Sequence, residues 1–150
     1  MKSIDTINSV LKVKGRRVWS VAPTTTVYEA VVAMSNWDVG ALLVMSDDKL
    51  DGIVSEQDYA RKIILHDRSS KMTQVREIMT SPVLTVTPED TVEECMRLMR
   101  EHRIRHLPVL DVARVVGLVS IGDLVNWMVA SQEQWIGHLE GYITHKYPAM

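Results

Sequence analysis

Gly117-Leu118-Val119-Ser120-Ile121-Gly122-Asp123 has a counterpart earlier in this chain, Gly52-Ile53-Val54-Ser55-Glu56-Gln57-Asp58. The two copies are 65 residues apart, the difference between positions 117 and 52. In each, branched apolar residues favour a buried extended run, and a Gly lets the chain turn into the strand. The Ser then stands where it can cap a helix, with the Asp at the third helical position. A helix N-terminus carrying a free hydroxyl and a carboxylate suits a sugar or a phosphate. It is also an ordinary way to begin a helix.

The rest of the chain repeats at the same offset. When residues 18–58 are laid over the chain 65 positions on, 13 of the 41 pairs are identical without a gap, among them Pro23/Pro88, Thr26/Thr91, Leu42/Leu107, Val44/Val109 and Val54/Val119. Chance would give roughly one in fifteen. The identities fall on strand, turn and cap positions, so the pattern reads as an internal duplication of a β-α-β-β-α unit.

In the first copy, Val18–Val21 is a short strand ended by Ala22-Pro23. Thr24, Thr25 and Thr26 offer caps for a helix over 27–37, and Gly40–Met45 with Leu50–Val54 forms a hairpin. A helix follows Ser55 to about His66. In the second copy, Val83–Val86 is the short strand, Thr91 the cap, His106–Leu110 with Arg114–Val119 the hairpin, and a helix follows Ser120. Polar residues 67–73 link the two. The repeats are therefore placed at 7–66 and 74–130. Ile4, Ile7, Val10 and Leu11 predict a short amphipathic helix that packs outside its own repeat. Trp135, Ile136, Leu139, Tyr142 and Ile143 predict a helical tail over 131–150. These two terminal segments carry more apolar surface than one repeat needs, which predicts a partner chain.

Composition narrows the function classes. With 46% hydrophobic residues a real core is expected, and a formal net charge of −2 argues against a dedicated nucleic-acid binder. One cysteine, Cys95, excludes an internal disulfide, and its place on an apolar helix face makes it a buried small residue rather than a thiol sensor. The N-terminus lacks a secretory apolar run, and no run reaches the ~18–20 residues needed to cross a bilayer. A cytoplasmic location without membrane or nucleic-acid partners is expected. No pair of His residues has metal-site spacing with Cys, and no Walker or Gly-x-Gly-x-x-Gly loop is present. No metal is expected.

The duplicated unit, the two Gly-x-x-Ser-x-x-Asp strings and the phrase Ile78-Met79-Thr80-Ser81-Pro82-Val83-Leu84-Thr85-Val86-Thr87-Pro88 together resemble the CBS-domain family over nearly the whole chain. It looks like a stand-alone two-repeat protein of the kind assigned to signal transduction. The resemblance implies an α/β (α+β) fold of tandem CBS repeats, paired through their small sheets into one Bateman module, with extra helices at both ends. It implies a non-catalytic regulatory role and a homodimer formed through helices. It also implies clefts that bind adenosine-containing ligands: AMP foremost, with ADP, ATP, NAD or S-adenosylmethionine as alternatives. Geometry would change on binding, and a separate, unidentified protein would read the change.

Each candidate residue has a plain reading beside the one the resemblance implies. Ser55, Asp58, Ser120 and Asp123 are helix caps; the family implies that the Asp also binds the ribose hydroxyls, a task for which a carboxylate offers two acceptors. Ser20, Ala22, Thr85 and Thr87 belong to sheet pairing, or line an adenine slot walled by Gly40, Ala41, Ile104, His106 and Pro108. His102, Arg103 and Arg105 form a solvated basic run, or hold phosphate, which Arg binds bidentately. Arg61 and Lys62, and further off Lys14, Arg16 and Arg17, are weaker phosphate candidates. Trp37 packs in a core or interface, or stacks on a nucleotide. Many relatives carry Arg where this chain has Gln57, which would weaken the first site or change its ligand. Two rivals stand beside the sensor: a dimerisation module with empty clefts, and an enzyme related to inosine-monophosphate dehydrogenase. No catalytic barrel is present to support the second.

Overall fold

Thr26 and Thr91 begin the two matching helices by the same contact. In a computed structural model, which describes residues 5–131, the Thr26 hydroxyl accepts from the Glu29 amide at 3.1 Å and the Thr91 hydroxyl from the Glu94 amide at 3.0 Å. Each satisfies an amide that the first helical turn leaves unpaired. The elements are α1 (Ile7–Lys14), β1 (Ser20–Val21), α2 (Val27–Trp37), β2 (Ala41–Ser46), β3 (Lys49–Ser55) and α3 (Glu56–Tyr59, continued by a π-helical turn, Ala60–Ile64). A 3-10 turn (Val75–Glu77) leads to α4 (Val92–His102), β4 (His106–Asp111), β5 (Arg114–Ser120) and a helix over 121–131, called α5. The expected tail beyond 131, and Ile4, lie outside the described residues.

The hairpins repeat in register and in irregularity. Leu42 faces Val54 and Val44 faces Gly52, with a bulge after Val44; Leu107 faces Val119 and Val109 faces Gly117, with a bulge after Val109. Alternation puts Leu42, Val44 and Val54 into one core and Leu107, Val109 and Val119 into a second. Ala41, Leu43 and Pro108, on the opposite strand faces, are buried as well, so each sheet is covered on both sides.

The first strand differs between the repeats. β1 pairs in parallel with β2, where the Leu43 amide donates to the Trp19 carbonyl at 3.1 Å. The expected strand over 83–86 is only a single bridge, Val86 to Val109. Pro108 stands where Leu43 stands in the first copy and has no N–H to donate, so one ladder bond is missing. The remaining contacts are Val86 N–H to the Pro108 carbonyl at 3.0 Å and Leu110 N–H to the Val86 carbonyl at 2.8 Å.

Packing order departs from sequence order. Ile7, Val10 and Leu11 of α1 fill the core of the second repeat, among Val86, Cys95, Leu107 and Leu124. Hydrogen bonds from Ile7 N–H to the Asp90 carbonyl (2.8 Å) and from Val92 N–H to the Asp5 carbonyl (2.9 Å) fix the helix there. Conversely, Val75 and Ile78 fill the core of the first repeat, and Val75 N–H donates to the Thr25 carbonyl at 2.8 Å. Each repeat is thus completed by the segment that precedes the other.

The two repeated glycines do not act at turns. Gly52 and Gly117 sit within β3 and β5, buried, with another element laid against them. A Cβ at Gly52 would be 2.5 Å from Met79 Sδ and 2.9 Å from the Thr80 carbonyl oxygen; one at Gly117 would be 2.7 Å from Leu11 Cδ2. Their function is close approach, not a turn into the strand.

Candidate functional site

The Ser-x-x-Asp pairs close as reciprocal caps in both repeats. The Ser55 amide donates to Asp58 Oδ2 at 2.9 Å and the Ser55 hydroxyl accepts from the Asp58 amide at 3.3 Å. Ser120 and Asp123 do the same at 2.8 and 3.1 Å. This is a capping box with Asp in place of Glu. Capping leaves acceptor capacity, because a carboxylate has about four lone-pair positions. Lys62 pairs with the other Asp58 oxygen at 3.1 Å and also donates to the Ile78 carbonyl at 2.7 Å.

Asp58 opens onto a cleft of about 610 Å³ between the repeats, within the size range of small-ligand sites. The first repeat contributes Gly40, Ile53 and, from the start of α3, Ser55, Glu56, Gln57, Asp58, Arg61 and Lys62. The second contributes the segment Thr80, Pro82, Val83 and Leu84 and the junction from His102 to His106. Arg103 ends α4 in the left-handed conformation, φ 55°, with its amide on the Met99 carbonyl. A non-glycine residue held there costs of order 1 kcal/mol. The cleft faces four side chains of fixed positive charge (Arg61, Lys62, Arg103, Arg105) and two carboxylates (Glu56, Asp58). It is a place for an anion with an apolar body.

The candidates therefore divide. Ser55, Asp58, Arg61, Gly40, His102, Arg103, Ile104, Arg105 and His106 line one cleft. The rest of the expected adenine slot does not: Ala41 and Pro108 are buried within their strands. Thr85 and Thr87 are likewise absent from the lining; the Thr87 amide donates to Asp90 Oδ2 at 2.7 Å in a turn. Ser20 and Ala22 lie on the other side of the pseudo-symmetric pair, and the Ala22 amide donates to Thr25 Oγ1 at 3.2 Å. Lys14 does not reach this cleft; it pairs with Asp123 Oδ2 at 2.5 Å. Missed from the sequence were Ile53, Glu56, Thr80, Pro82 and Val83. The stretch around Pro82 carried the family resemblance but was given no place in the site, and Leu84 was read with Thr85–Thr87 as an edge segment beside the adenine.

His106 is held below the ordinary histidine range, first by burial and then by the Lys14 charge; Asp123 pulls it back up and Arg105 pushes it down. The neutral imidazole is thus the native form. As pH falls through about 6.5, the unfolded chain takes up this proton before the folded one, so stability falls with it. His106→Gln should lose less melting temperature than wild type between about pH 7.5 and 5.5, measured by circular dichroism; equal losses would remove His106 from the account. Cys95 is fully buried, and its thiol is pushed up to about 12 by burial, then by Asp90 and Glu94. Among the described residues no group of three or more His, Cys, Asp or Glu is placed to hold a metal ion, and no helix is long and apolar enough to cross a membrane.

Comparison with known proteins bears on this arrangement. Residues 12–65 and 75–130 each match the CBS domain. The CBS domain-containing protein CBSX3, mitochondrial, of Arabidopsis thaliana is 43% identical over 151 residues, covering 95% of this chain and 73% of that protein. A CBS-domain protein of Burkholderia ambifaria MC40-6 assigned to signal transduction superposes with a TM-score of 0.82 at 49% identity, covering 85% of this chain and 96% of that one. The CBS pair of protein MJ0100, 22% identical with a TM-score of 0.74 over 85% of this chain and 98% of that one, shares the fold and was crystallised with 5′-methylthioadenosine and S-adenosyl-L-methionine. Two matched domains, each carrying the same hairpin, cap and helix, make this chain a member of the CBS-domain family with a tandem pair of repeats.

Proposed function

We propose that this protein is a non-catalytic, cytoplasmic adenine-nucleotide sensor whose ligand lies in the Asp58 cleft. The observation that carries the reading is the meeting of Asp58 with Arg61, Lys62, Arg103 and Arg105 around one inter-repeat cleft. Asp58 would accept from the ribose hydroxyls, Leu84 and Ile104 would flank the base, and the arginines would take phosphate. AMP is the first choice, with ADP, ATP and NAD-type ligands as extensions of it. The cation excess disfavours S-adenosylmethionine, a sulfonium without phosphate. Because both repeats line the cleft, a ligand that prefers one inter-repeat angle would shift the module toward it. A homodimer through the helices is part of the proposal, supported by exposed Tyr28 and Val32 on α2 and Val125, Met128 and Val129 on α5. The reader of the signal would be another protein.

A second reading, a dimerisation module with an empty cleft, is favoured by one observation: the Ser55–Asp58 box is complete as a cap without any ligand. Thermal unfolding against AMP, ADP, ATP, NAD, NADH and S-adenosylmethionine separates the two. At ~100 times its dissociation constant a ligand adds about 2.7 kcal/mol. The phosphate-bearing nucleotides should raise the transition, and Asp58→Ala should abolish the rise while costing only a cap, ~1 kcal/mol, without ligand. No rise with any of them, in protein shown free of co-purified nucleotide, leaves the dimerisation module.

A further inference from the structure

We infer that the cleft at Asp123 is closed to nucleotides by the chain's own side chains, so that each polypeptide offers one nucleotide site rather than two. This rests on reading the Asp58 cleft as a nucleotide site, but its geometry is independent. At the repeat offset of 65, Leu84 and His102 of the open cleft correspond to Trp19 and Trp37. Those two indoles stack on each other, centroids 4.2 Å apart and planes 15° from parallel. They are already in contact, so no flat ring enters between them. The Arg17 guanidinium lies 4.9 Å from the Trp19 ring centroid, which adds a cation–π contact to the stack. Trp19 stands at the place of Leu84, one of the two residues that would flank the base, so the stack fills that side of the base position.

The polar end is occupied as well. Lys14 reaches from α1 to Asp123 Oδ2 and to the Leu118 carbonyl. At the matching place in the first repeat, the Ile53 carbonyl is taken by the Thr80 amide at 2.9 Å; Asp58 carries a lysine too, Lys62 on Oδ1 at 3.1 Å, but that lysine belongs to the cleft lining, whereas Lys14 reaches Asp123 from α1. Three cations of the open cleft are not repeated at the equivalent positions: Arg61, Lys62 and Arg103 correspond to Asn126, Trp127 and Asp38. Two neutral side chains and an acid thus replace three cations. Arg103 and Asp38 share the same left-handed backbone, φ 55° and 54°, so the exchange is one of charge and not of chain path.

Isothermal titration with AMP tests the closure. Wild type should take one equivalent per chain, and Asp123→Ala should still take one, with affinity changed less than about twofold. Two equivalents in wild type, or loss of an equivalent on Asp123→Ala, overturns the inference and leaves the sensor reading intact. The triple variant Trp19→Leu/Trp37→His/Asp38→Arg removes the indole stack and restores one of the three exchanged cations at the second cleft. It should bind one equivalent more than wild type, and the extra equivalent should vanish when Asp123→Ala is added. The increment decides, whatever the wild-type number: a variant that folds by circular dichroism and shows no increment overturns the closure, whereas zero binding in wild type speaks against the sensor reading alone. Should the triple variant fail to fold, the exciton couplet of the stacked indoles in the wild-type far-ultraviolet spectrum serves instead. It should persist through titration with AMP, and its loss would show that the stack opens.

Discussion

Leu11→Ala should destabilise the protein by about 2–5 kcal/mol, the range for emptying a core leucine site. Leu11 is 1% exposed and packs in the core of the second repeat with Leu107, Val109 and Val119. Its methyl groups lie on the bare backbone of Gly117, which has no side chain of its own to fill the space. The hole would therefore stay open, which places the cost toward the upper part of the range. Two residues on, Val13 is 77% exposed on the same helix, and Val13→Ala should change stability by less than about 0.5 kcal/mol. Urea unfolding reads both as shifts of the midpoint at constant slope. Equal, small shifts would mean that α1 is only laid against the second repeat and that its hydrogen bonds to residues 90 and 92 do not hold a core element.

How far the sequence could be read depended on whether a feature was local. The helix start at Thr91, and the one at Thr26 as one of three neighbouring threonines, were legible because an N-cap is decided by a residue and the amides just after it. Both hairpins were legible because period-2 alternation and a single offset fix their register. Even the departure of α1 from its own repeat was foreseeable, since its apolar face exceeds what a neighbouring short strand can cover. What it packs on was not, because the exchange of leading segments is a contact between residues 85 positions apart, Thr6 with Thr91. Pro108 carried the information that the strand over 83–86 would fail, but only once its pairing with the amide position of Leu43 was known. The cleft was half legible. Residue types named the acid and the cations, and the structure brings Asp58 together with Arg103 and Arg105. The apolar wall was misassigned to Thr85 and Thr87, because a segment expected as a regular strand gives no reliable facing when it is not one. Trp37 was weighed as a packing or stacking residue; its partner, Trp19, was invisible without the fold.

Gly52→Val should cost about 3 kcal/mol, at the top of the range for overpacking, and should also weaken nucleotide binding. Gly52 lies in the middle of β3, and even a single Cβ there would come within 2.9 Å of the Thr80 carbonyl oxygen. Met79, the other neighbour, is a flexible side chain that can turn aside; the carbonyl can yield only if the backbone moves. That backbone is held on β3 by two hydrogen bonds, Ile53 N–H to the Thr80 carbonyl at 3.1 Å and Thr80 N–H to the Ile53 carbonyl at 2.9 Å. Displacing it breaks both and shifts Thr80, Pro82, Val83 and Leu84, which form one wall of the Asp58 cleft. Gly117→Val presses instead on Leu11, a side chain in a core away from that wall. It should destabilise by a similar amount, about 1–3 kcal/mol, yet leave AMP affinity within about threefold of wild type at a temperature where both proteins are folded. The pair of variants therefore separates stability from site geometry: a loss of affinity in Gly52→Val alone ties the cleft to the crossing of residues 79–80 over β3. Equal affinities would mean that the wall tolerates the shift and that Asp58 and the arginines carry recognition by themselves.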